Sequence, residues 1–152
     1  MRLYGVMDPK AQSPARPSQG VPLLNGEATD LWAIQLDLYQ GFLTGDRARV
    51  DRHISADGTM WDSAHEPLIH GLTGLNEVRA ARPTGADAPQ VDDLDATEPV
   101  IDIWGDTALT RHLLTVTFSD ASLPAERVRV TGVWRRVDGE WLNVHNHEDV
   151  LP

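Results

Sequence analysis

The sequence lacks cysteine and has few positive charges. Its 152 residues contain no cysteine, 13 Lys and Arg, and 23 Asp and Glu, giving a formal net charge of −10 with histidine neutral. The absence of cysteine excludes a disulfide framework, a thiolate metal site and a cysteine nucleophile. A surface this acidic repels phosphate backbones, so we expect no nucleic-acid partner.

Long apolar runs are missing as well. No segment reaches the roughly 18 apolar residues of a membrane helix, and the first eight residues carry no apolar run of signal-peptide length. We therefore expect no membrane partner and, with cysteine absent too, a cytoplasmic protein. Hydrophobic residues make up 41% and charged residues 24%, as in ordinary globular proteins. The length suits a single domain with its own core.

Proline is concentrated near the start of the chain. Residues 8–26 contain four prolines, which exclude a regular helix there. We expect residues 1–26 to form a flexible arm or an ordered strap that covers a pocket or a partner subunit. The folded domain is then expected at residues 27–152.

Helical patterns come first in this domain, and strand patterns follow. Apolar residues recur at helical spacing from Glu27 as far as Gly45, which is suited to end a helix, and Asp46 is suited to cap the next one. Residues 84–99 are expected to be a loop followed by an edge strand. Helices before a long meander predict an α+β fold, with helices across one face of a curved sheet. The other regular segments are expected to be helices at 47–54 and 73–82 and strands at 59–62, 100–104, 108–118, 126–137 and 140–150.

The register of the last predicted hairpin decides which side chains face the helices. A plain two-residue turn places Trp134 on the face that carries His145 and His147. A three-residue turn with a glycine bulge shifts the pairing by one residue and reverses every side chain. Trp134 then shares its face with Asn146 and Glu148, an arrangement that separates apolar from polar residues better, so we prefer it. The outward face then carries Trp141, Asn143, His145 and His147.

This hairpin resembles a known pattern. Residues 133–147, Val-Trp-Arg-Arg-Val-Asp-Gly-Glu-Trp-Leu-Asn-Val-His-Asn-His, are similar to the ends of the calcium/calmodulin-dependent kinase II association domain and of bacterial SnoaL-like proteins. These belong to the nuclear-transport-factor-2-like superfamily, with ketosteroid isomerase and the polyketide cyclases as enzyme members. The resemblance implies a cone-shaped, curved antiparallel sheet with three N-terminal helices on its concave face. It also implies a pocket between helices and sheet, and a homodimer through the outer sheet face.

The sequence departs from these relatives at positions that matter for function. Where the association domain has an arginine before Val-Trp, this chain has Gly132, and Glu148 replaces the arginine after His-x-His. The anion-binding pocket of that relative is therefore not carried over. The aspartate base and Tyr/Asp oxyanion pair of ketosteroid isomerase find no matching positions either. Since the superfamily includes both enzymes and assembly modules, the resemblance alone identifies no activity.

Three polar residues are candidates for acid–base chemistry. Glu148 is expected in a dry pocket, where a carboxylate is a usable acid or base; a salt bridge to an arginine such as Arg111, or simple exposure, is the alternative. An inward His112 is able to pair with Glu148 or to orient a carbonyl group, whereas a structural histidine is the alternative. Asp62 follows Trp61 as a polar pocket residue, or else is an exposed strand acid.

Other residues are candidates for ligand contact. Trp61 and Trp134 are expected to stack on a flat apolar ligand, with Asn146 beside them. His65 and His70, before the third helix, are expected at the pocket mouth. In the alternative, the tryptophans are core or interface residues and the two histidines face solvent. The sequence contains no phosphate loop, Ser-His-Asp order or nucleotide fingerprint, so we expect no cofactor.

His145 and His147 form the remaining motif. Two histidines at this spacing project to the same side of a strand and are able to chelate zinc or iron. The cupin-like version of such a site needs a later glutamate and a distant third histidine, and the sequence ends at Pro152, soon after the pair. We therefore expect no metal site, and we interpret the pair, with Trp141, as residues of a homodimer interface.

Two hypotheses follow from these features. In the first, a homodimer binds a small hydrophobic molecule, cyclic or polyketide-like, and acts without cofactor as an isomerase, cyclase or dehydratase. Glu148 and His112 transfer protons and Asp62 assists. In the second, the chain is a non-catalytic module for oligomerisation or ligand sensing. An enzyme needs two convergent titratable groups in a closed pocket, whereas a module needs only a cavity and a self-complementary interface.

Overall fold

The computed structural model describes residue 24 and residues 26–84 and 87–152. The expected arm at residues 1–26 lies almost wholly outside these ranges. Among the described residues, no helix is both long enough and apolar enough to cross a bilayer.

The described residues form an α+β fold, as predicted. Two helices, a β-hairpin and a third helix precede four long strands. The elements are α1 (Gly26–Leu43), α2 (Arg47–Asp51), β1 (Ile54–Asp62), β2 (His65–His70), α3 (Gly71–Ala81), β3 (Val91–Trp104), β4 (Thr107–Phe118), β5 (Glu126–Val137) and β6 (Glu140–Val150).

Local signals determine the boundary between α1 and α2. Gly45 adopts a positive φ of 70°, a conformation that glycine allows without steric cost, directly after α1. The Asp46 side chain then accepts a hydrogen bond of 3.0 Å from the Arg49 amide and caps α2. Both predicted roles are confirmed. The second helix is shorter than predicted, because Ile54 already begins β1.

The strands form one six-stranded sheet in the order β2-β1-β6-β5-β4-β3. Adjacent strands are antiparallel except β1 and β6, which run parallel from the Ile54–Asn143 pair to the Trp61–His147 pair. The predicted antiparallel sheet is therefore wrong at this pair, and the sheet is mixed. Hairpin turns make β3 to β6 antiparallel. Strand β1 is far from β6 along the chain and is not joined to it by a hairpin, so the two strands are free to pair in parallel.

One strand lies where the sequence predicted a loop, and the predicted edge strand, which is confirmed as β3, begins earlier than expected. Strand β2 occupies residues 65–70, and β3 continues through Pro99 instead of beginning after it. Pro99 lies on an edge strand and inside a shift of the β3–β4 register, where it has no paired residue, so its missing amide is tolerated. The register shifts between Thr97 and Val100, and Glu98 there has a φ of 55°, as at a bulge.

The β5–β6 hairpin combines both registers considered from the sequence. Its turn has two residues, because Val137 pairs with Glu140, and Val144 is left over as a bulge farther along β6. Beyond this bulge Glu148 pairs with Val130 on the helix-facing side of the sheet. The predicted inward orientation of Glu148 is confirmed, while the predicted bulge position at the turn is wrong.

The bulge also changes the environment of the first half of β6. Trp141 and Asn143, expected on the outer face, both point inward and are only 7% and 6% exposed. Trp141 packs with Leu31 of α1 and with Trp134 in a compact apolar cluster. Trp141 is therefore a core residue, and its assignment to the dimer interface is wrong. His145 and His147 remain on the outer face, where they pair with outward residues of β5.

Two apolar clusters join the helices to the inner face of the sheet. The smaller cluster surrounds Trp134 and Trp141, as described above. The larger one is formed by Leu38, Tyr39, Val50, Leu94, Leu114, Val116, Phe118, Val128 and Val130. Because α1 contributes to both, it anchors the helical layer along the sheet, and polar inward residues between the clusters lie away from water.

Candidate functional site

A small cavity lies between α1, α3 and the inner face of the sheet. Its volume is about 80 Å³, far below the roughly 300 Å³ of pockets for drug-sized ligands. Apolar side chains such as Leu38, Phe42 and Leu75 form much of its wall. The polar and charged residues of the lining are Gln35, Tyr39, Arg79, Arg82, Asn143, Asn146 and Glu148.

Glu148 is the acidic residue of this lining. Glu148 is 3% exposed, and the Asn146 side-chain amide donates a hydrogen bond of 3.1 Å to its Oε1. Asn146 and Glu148 lie two positions apart on β6, beyond the bulge, so both side chains face the helices. A buried carboxylate held in this way is positioned to contact a molecule bound in the cavity.

Tyr39 of α1 brings a second titratable group to the cavity. Its hydroxyl lies 2.6 Å from His112 Nε2, and both residues are buried. Burial, and then the nearby charge of Glu148, raise the pKa of Tyr39 well above its usual value, so the phenol stays protonated. Burial lowers the pKa of His112 to about 4, so the imidazole is neutral near pH 7.

The sheet register separates His112 from Glu148. His112 pairs with Val130 of β5, and Val130 pairs with Glu148 of β6, so the two residues lie two strands apart. Two strand spacings are about 10 Å. Tyr39, and not His112, lines the cavity with Glu148. The structure thus brings Glu148 together with Tyr39 and places His112 behind the tyrosine.

Asp62 takes part in an ion pair at the edge of the cavity. Its carboxylate accepts hydrogen bonds of 2.7 Å from the Ala64 amide and 2.7 Å from the Arg82 guanidinium. The Asp62 side chain is fully buried, whereas that of Arg82 is 19% exposed. The alternative of an exposed strand acid is thus excluded, but Asp62 itself is not among the residues that line the cavity. Asp62 holds the end of α3 against β1, and Arg82 contacts the cavity in its place.

The aromatic and histidine candidates lie outside this cavity. Trp134 is fully buried in the core, where its indole Nε1 donates to Thr110 Oγ1 at 3.0 Å, and Trp61 is 42% exposed. Trp61 and His65 border a shallow surface groove, and His70 borders another beside α3. Asn146 is thus the one ligand-contact candidate that lines the cavity among the described residues.

Gly132 accounts for one departure from the association-domain pattern. A Cβ at this position would lie 2.7 Å from Thr110 Oγ1 and 2.9 Å from Trp134 Nε1. The space that a side chain would need is thus taken by the Trp134–Thr110 hydrogen bond. An arginine like that of the association domain cannot be accommodated here without moving the core.

Comparison with known proteins assigns this fold to a family. Residues 33–151 match the family model of the SnoaL-like domain. The chain belongs to the SnoaL-like family. Its membership in the nuclear-transport-factor-2-like superfamily, expected from the last hairpin, is thereby confirmed. No curated protein matches the sequence significantly.

Several solved structures share the fold. The CaMKII hub of S. rosetta is 22% identical, with a TM-score of 0.71 over 85% of this chain and 100% of that one. An NTF2-like protein of unknown function from Pseudomonas putida is 18% identical, with a TM-score of 0.69 over 80% and 84%. A proposed ketosteroid isomerase from Parabacteroides distasonis is 23% identical, with a TM-score of 0.61 over 77% and 85%. At these identities the likeness concerns the fold.

Sequence reasoning missed five polar or charged residues of this SnoaL-like site, namely Gln35, Tyr39, Arg79, Arg82 and Asn143. The helical spacing of the apolar stripe in α1 predicts a buried position for Tyr39 but does not show that its hydroxyl needs a buried partner. The signal for Gln35 was a polar residue within that stripe, four positions before Tyr39. Asn143 was missed because the bulge was expected at the turn.

Among the described residues, the SnoaL-like domain has no group of three or more metal-ligating side chains arranged to hold a metal ion. His145 of the His-x-His motif instead has its Nδ1 2.8 Å from the Thr59 hydroxyl on the neighbouring strand. Burial, and then the neighbouring His147, lower the pKa of His145. This hydrogen bond ties the motif to the pairing of β1 with β6.

Proposed function

We propose that this SnoaL-like domain is a cofactor-independent acid–base enzyme, an isomerase, cyclase or dehydratase that acts on a small carbonyl compound in the cytoplasm. The observation that carries the proposal is that Glu148 and Tyr39 line one cavity beneath α1. The first is a buried carboxylate and the second a protonated phenol. A proton acceptor and a hydrogen-bond donor on one small molecule are the two groups that enolisation requires.

In this proposal Glu148 removes a proton from the carbon next to the carbonyl group. Tyr39 donates a hydrogen bond to the carbonyl oxygen as negative charge develops on it. The apolar part of the wall strengthens both interactions, because a low local dielectric screens them less than bulk water does. Asn146 holds the carboxylate in position, and Asp62 supports the site through Arg82. The similar fold of the proposed ketosteroid isomerase is compatible with such chemistry.

The size of the cavity restricts the substrate. A volume of about 80 Å³ suits a molecule of a few non-hydrogen atoms, whereas a polyketide-sized ligand needs roughly 300 Å³ or more. We therefore propose a smaller substrate than the polyketide-like one expected from the sequence. Apolar walls from Leu38, Phe42 and Leu75 favour a substrate with an uncharged body.

Proton exchange tests this proposal without knowledge of the natural substrate. The full chain is incubated in D₂O with a panel of small ketones and enones, and loss of the α-proton signals is followed by NMR. We expect the wild-type protein to accelerate exchange for at least one compound, and Glu148→Gln to lower that rate by about 100-fold or more.

Asp149→Asn is the matched control for this variant. Asp149 is the next acid on β6, but it lies on the opposite face and binds Arg129 at 2.9 Å. Its variant is expected to keep the wild-type exchange rate. Wild-type protein without activity on any compound, or full activity in Glu148→Gln, would contradict acid–base catalysis by this site.

A second candidate function is a non-catalytic module for oligomerisation or ligand sensing. It is favoured by the fold shared with the CaMKII hub and by the composition of the outer sheet face. Half-buried apolar side chains there surround His145, and they include Leu109, Leu113, Val133, Leu142 and Val144. We propose that a second copy of the chain covers this face to form a homodimer, with His145 and His147 in the interface.

A further inference from the structure

The buried ring of His112 has one partnered and one unpartnered nitrogen. His112 is 4% exposed, its Nε2 lies 2.6 Å from the Tyr39 hydroxyl, and its Nδ1 has no hydrogen-bond partner within the described part of the chain. The rings of Trp32 and Tyr39 meet the imidazole edge-on, with centroids 5.1 Å and 5.7 Å away. The ring is therefore fixed in place, and its single proton has two possible sites.

The two tautomers have different consequences for Tyr39. With the proton on Nδ1, a buried N–H donor lacks an acceptor, an arrangement that folded proteins rarely tolerate. The tyrosine hydroxyl must then donate to Nε2 and turns its hydrogen away from the cavity. With the proton on Nε2, the ring donates to the tyrosine oxygen and the hydroxyl hydrogen is free to turn toward the cavity. Nδ1 is then an unpaired acceptor, which folded proteins tolerate better than an unpaired N–H donor.

The charge of Glu148 favours the second arrangement. Glu148 and Tyr39 line the same cavity, and His112 lies on the far side of the tyrosine. A hydroxyl dipole between a carboxylate and a neutral imidazole is most stable with its hydrogen toward the negative charge. The unpaired nitrogen and the position of the carboxylate therefore indicate the same tautomer.

We propose that His112 is a positioning residue whose Nε2–H donates to the Tyr39 oxygen and so directs the tyrosine hydrogen into the cavity. This inference rests on the proposed function and narrows its substrate class. Tyr39 then presents a donor, so the ligand atom beside it must be an acceptor, such as a carbonyl or enolate oxygen. A ligand that offers only N–H groups at this point leaves two donors facing each other.

Nitrogen NMR of the free full-length protein tests the tautomer directly. The protein is labelled with ¹⁵N in its histidine rings, and the His112 signals are assigned by their loss in His112→Gln. We expect a protonated Nε2 and an unprotonated Nδ1 at pH 7. A proton on Nδ1, or a doubly protonated ring, would overturn the inference, and this result does not depend on any measurement of activity.

The exchange reaction in D₂O provides the functional readout. His112→Gln keeps an N–H donor at nearly the position of Nε2, whereas His112→Phe fills the space without one. We expect the glutamine variant to retain exchange within about tenfold of wild type and the phenylalanine variant to lose about 100-fold, in line with the loss of a positioned donor. Equal losses in two variants that are both folded by circular dichroism would overturn the positioning role.

The two measurements separate this inference from the proposed function. If wild-type protein catalyses no exchange, the proposed function fails, whereas the tautomer is still decided by the nitrogen signals. If exchange occurs and the proton is found on Nδ1, proton transfer by Glu148 stands, whereas the positioning role of His112 and the hydrogen bond from Tyr39 to the carbonyl oxygen are both wrong.

Discussion

The buried imidazole of His112 makes the stability of the fold depend on pH, because it resists protonation in the folded state. Its neighbours are two aromatic rings and a tyrosine hydroxyl, none of which stabilises a positive charge strongly. In the unfolded chain the same ring binds a proton near pH 6.5. Between these two pKa values the unfolded state binds more protons than the folded state does.

We therefore expect acid to destabilise the protein through His112. The pKa of His112 in the folded state is about 4. The loss of unfolding free energy is therefore absent above about pH 6.5 and grows as the pH falls toward 4, where it reaches about 2–4 kcal/mol. Urea unfolding at pH 7.5 and pH 5 measures the effect. His112→Gln removes the titrating group, so its stability should fall less between these pH values. An equal loss in wild type and variant would show that other groups dominate.

Some of the cavity residues could be predicted from the sequence, and others could not. Glu148 and Asn146 were placed correctly, since the separation of apolar and polar faces along β5 and β6 requires them to point inward. Tyr39 was not found, because helical spacing identifies a buried position but not the partner of a hydroxyl group. The partner, His112, is 73 positions away along the chain and is brought to it only by the packing of α1 on β4.

At the scale of elements, local signals were sufficient where the cause is local. Gly45 and Asp46 specify the break between α1 and α2 by backbone conformation and capping. The Val144 bulge and the parallel pairing of β1 with β6 depend on strands that are distant in sequence. No local residue pattern predicts them, and the bulge decides which residues in each half of β6 face the cavity.

A cluster of charges around Asp37 holds α2 and the following turn onto α1. The Asp37 carboxylate accepts hydrogen bonds of 2.6 Å from Arg49, 2.9 Å from Arg52 and 2.7 Å from His53. Arg49 first, and then His53 and Arg52, hold the pKa of Asp37 well below its usual value. The stabilisation is therefore present above the unfolded pKa of about 4 and is lost as the pH falls below it.

We expect Asp37→Asn to lower the free energy of unfolding by about 1–2 kcal/mol at pH 7, because three donors lose a charged acceptor on a partly exposed surface. Thermal unfolding should shift down by about 3–6 °C. Asp30→Asn, which removes an exposed acid from the same helix, is the control and should cost about 0.5 kcal/mol or less. The difference between wild type and Asp37→Asn should shrink below pH 4; a constant difference would contradict the ion-pair explanation.

At the scale of the molecule, the sheet divides the two candidate functions between its faces. The inner face holds the cavity with Glu148 and Tyr39, and the outer face holds the half-buried apolar residues around His145. Variants on one face should therefore leave the other function intact. Loss of exchange in Glu148→Gln without change of mass in solution is the expected signature of an enzyme that also self-associates.

Leu142→Glu tests the outer face as the homodimer interface. Leu142 is half-buried on that face and pairs with Arg135 of β5, so a glutamate there gains an opposite charge across the strands and leaves the monomer fold intact. In a self-complementary interface the new carboxylate is buried against a second copy, which costs several kcal/mol. Sedimentation equilibrium should give about twice the chain mass of 16.8 kDa for wild type and the single chain mass for the variant.

Thr73→Glu on α3 is the control and should remain dimeric. A Leu142→Glu variant that still sediments as a dimer would show that the copies meet through another surface.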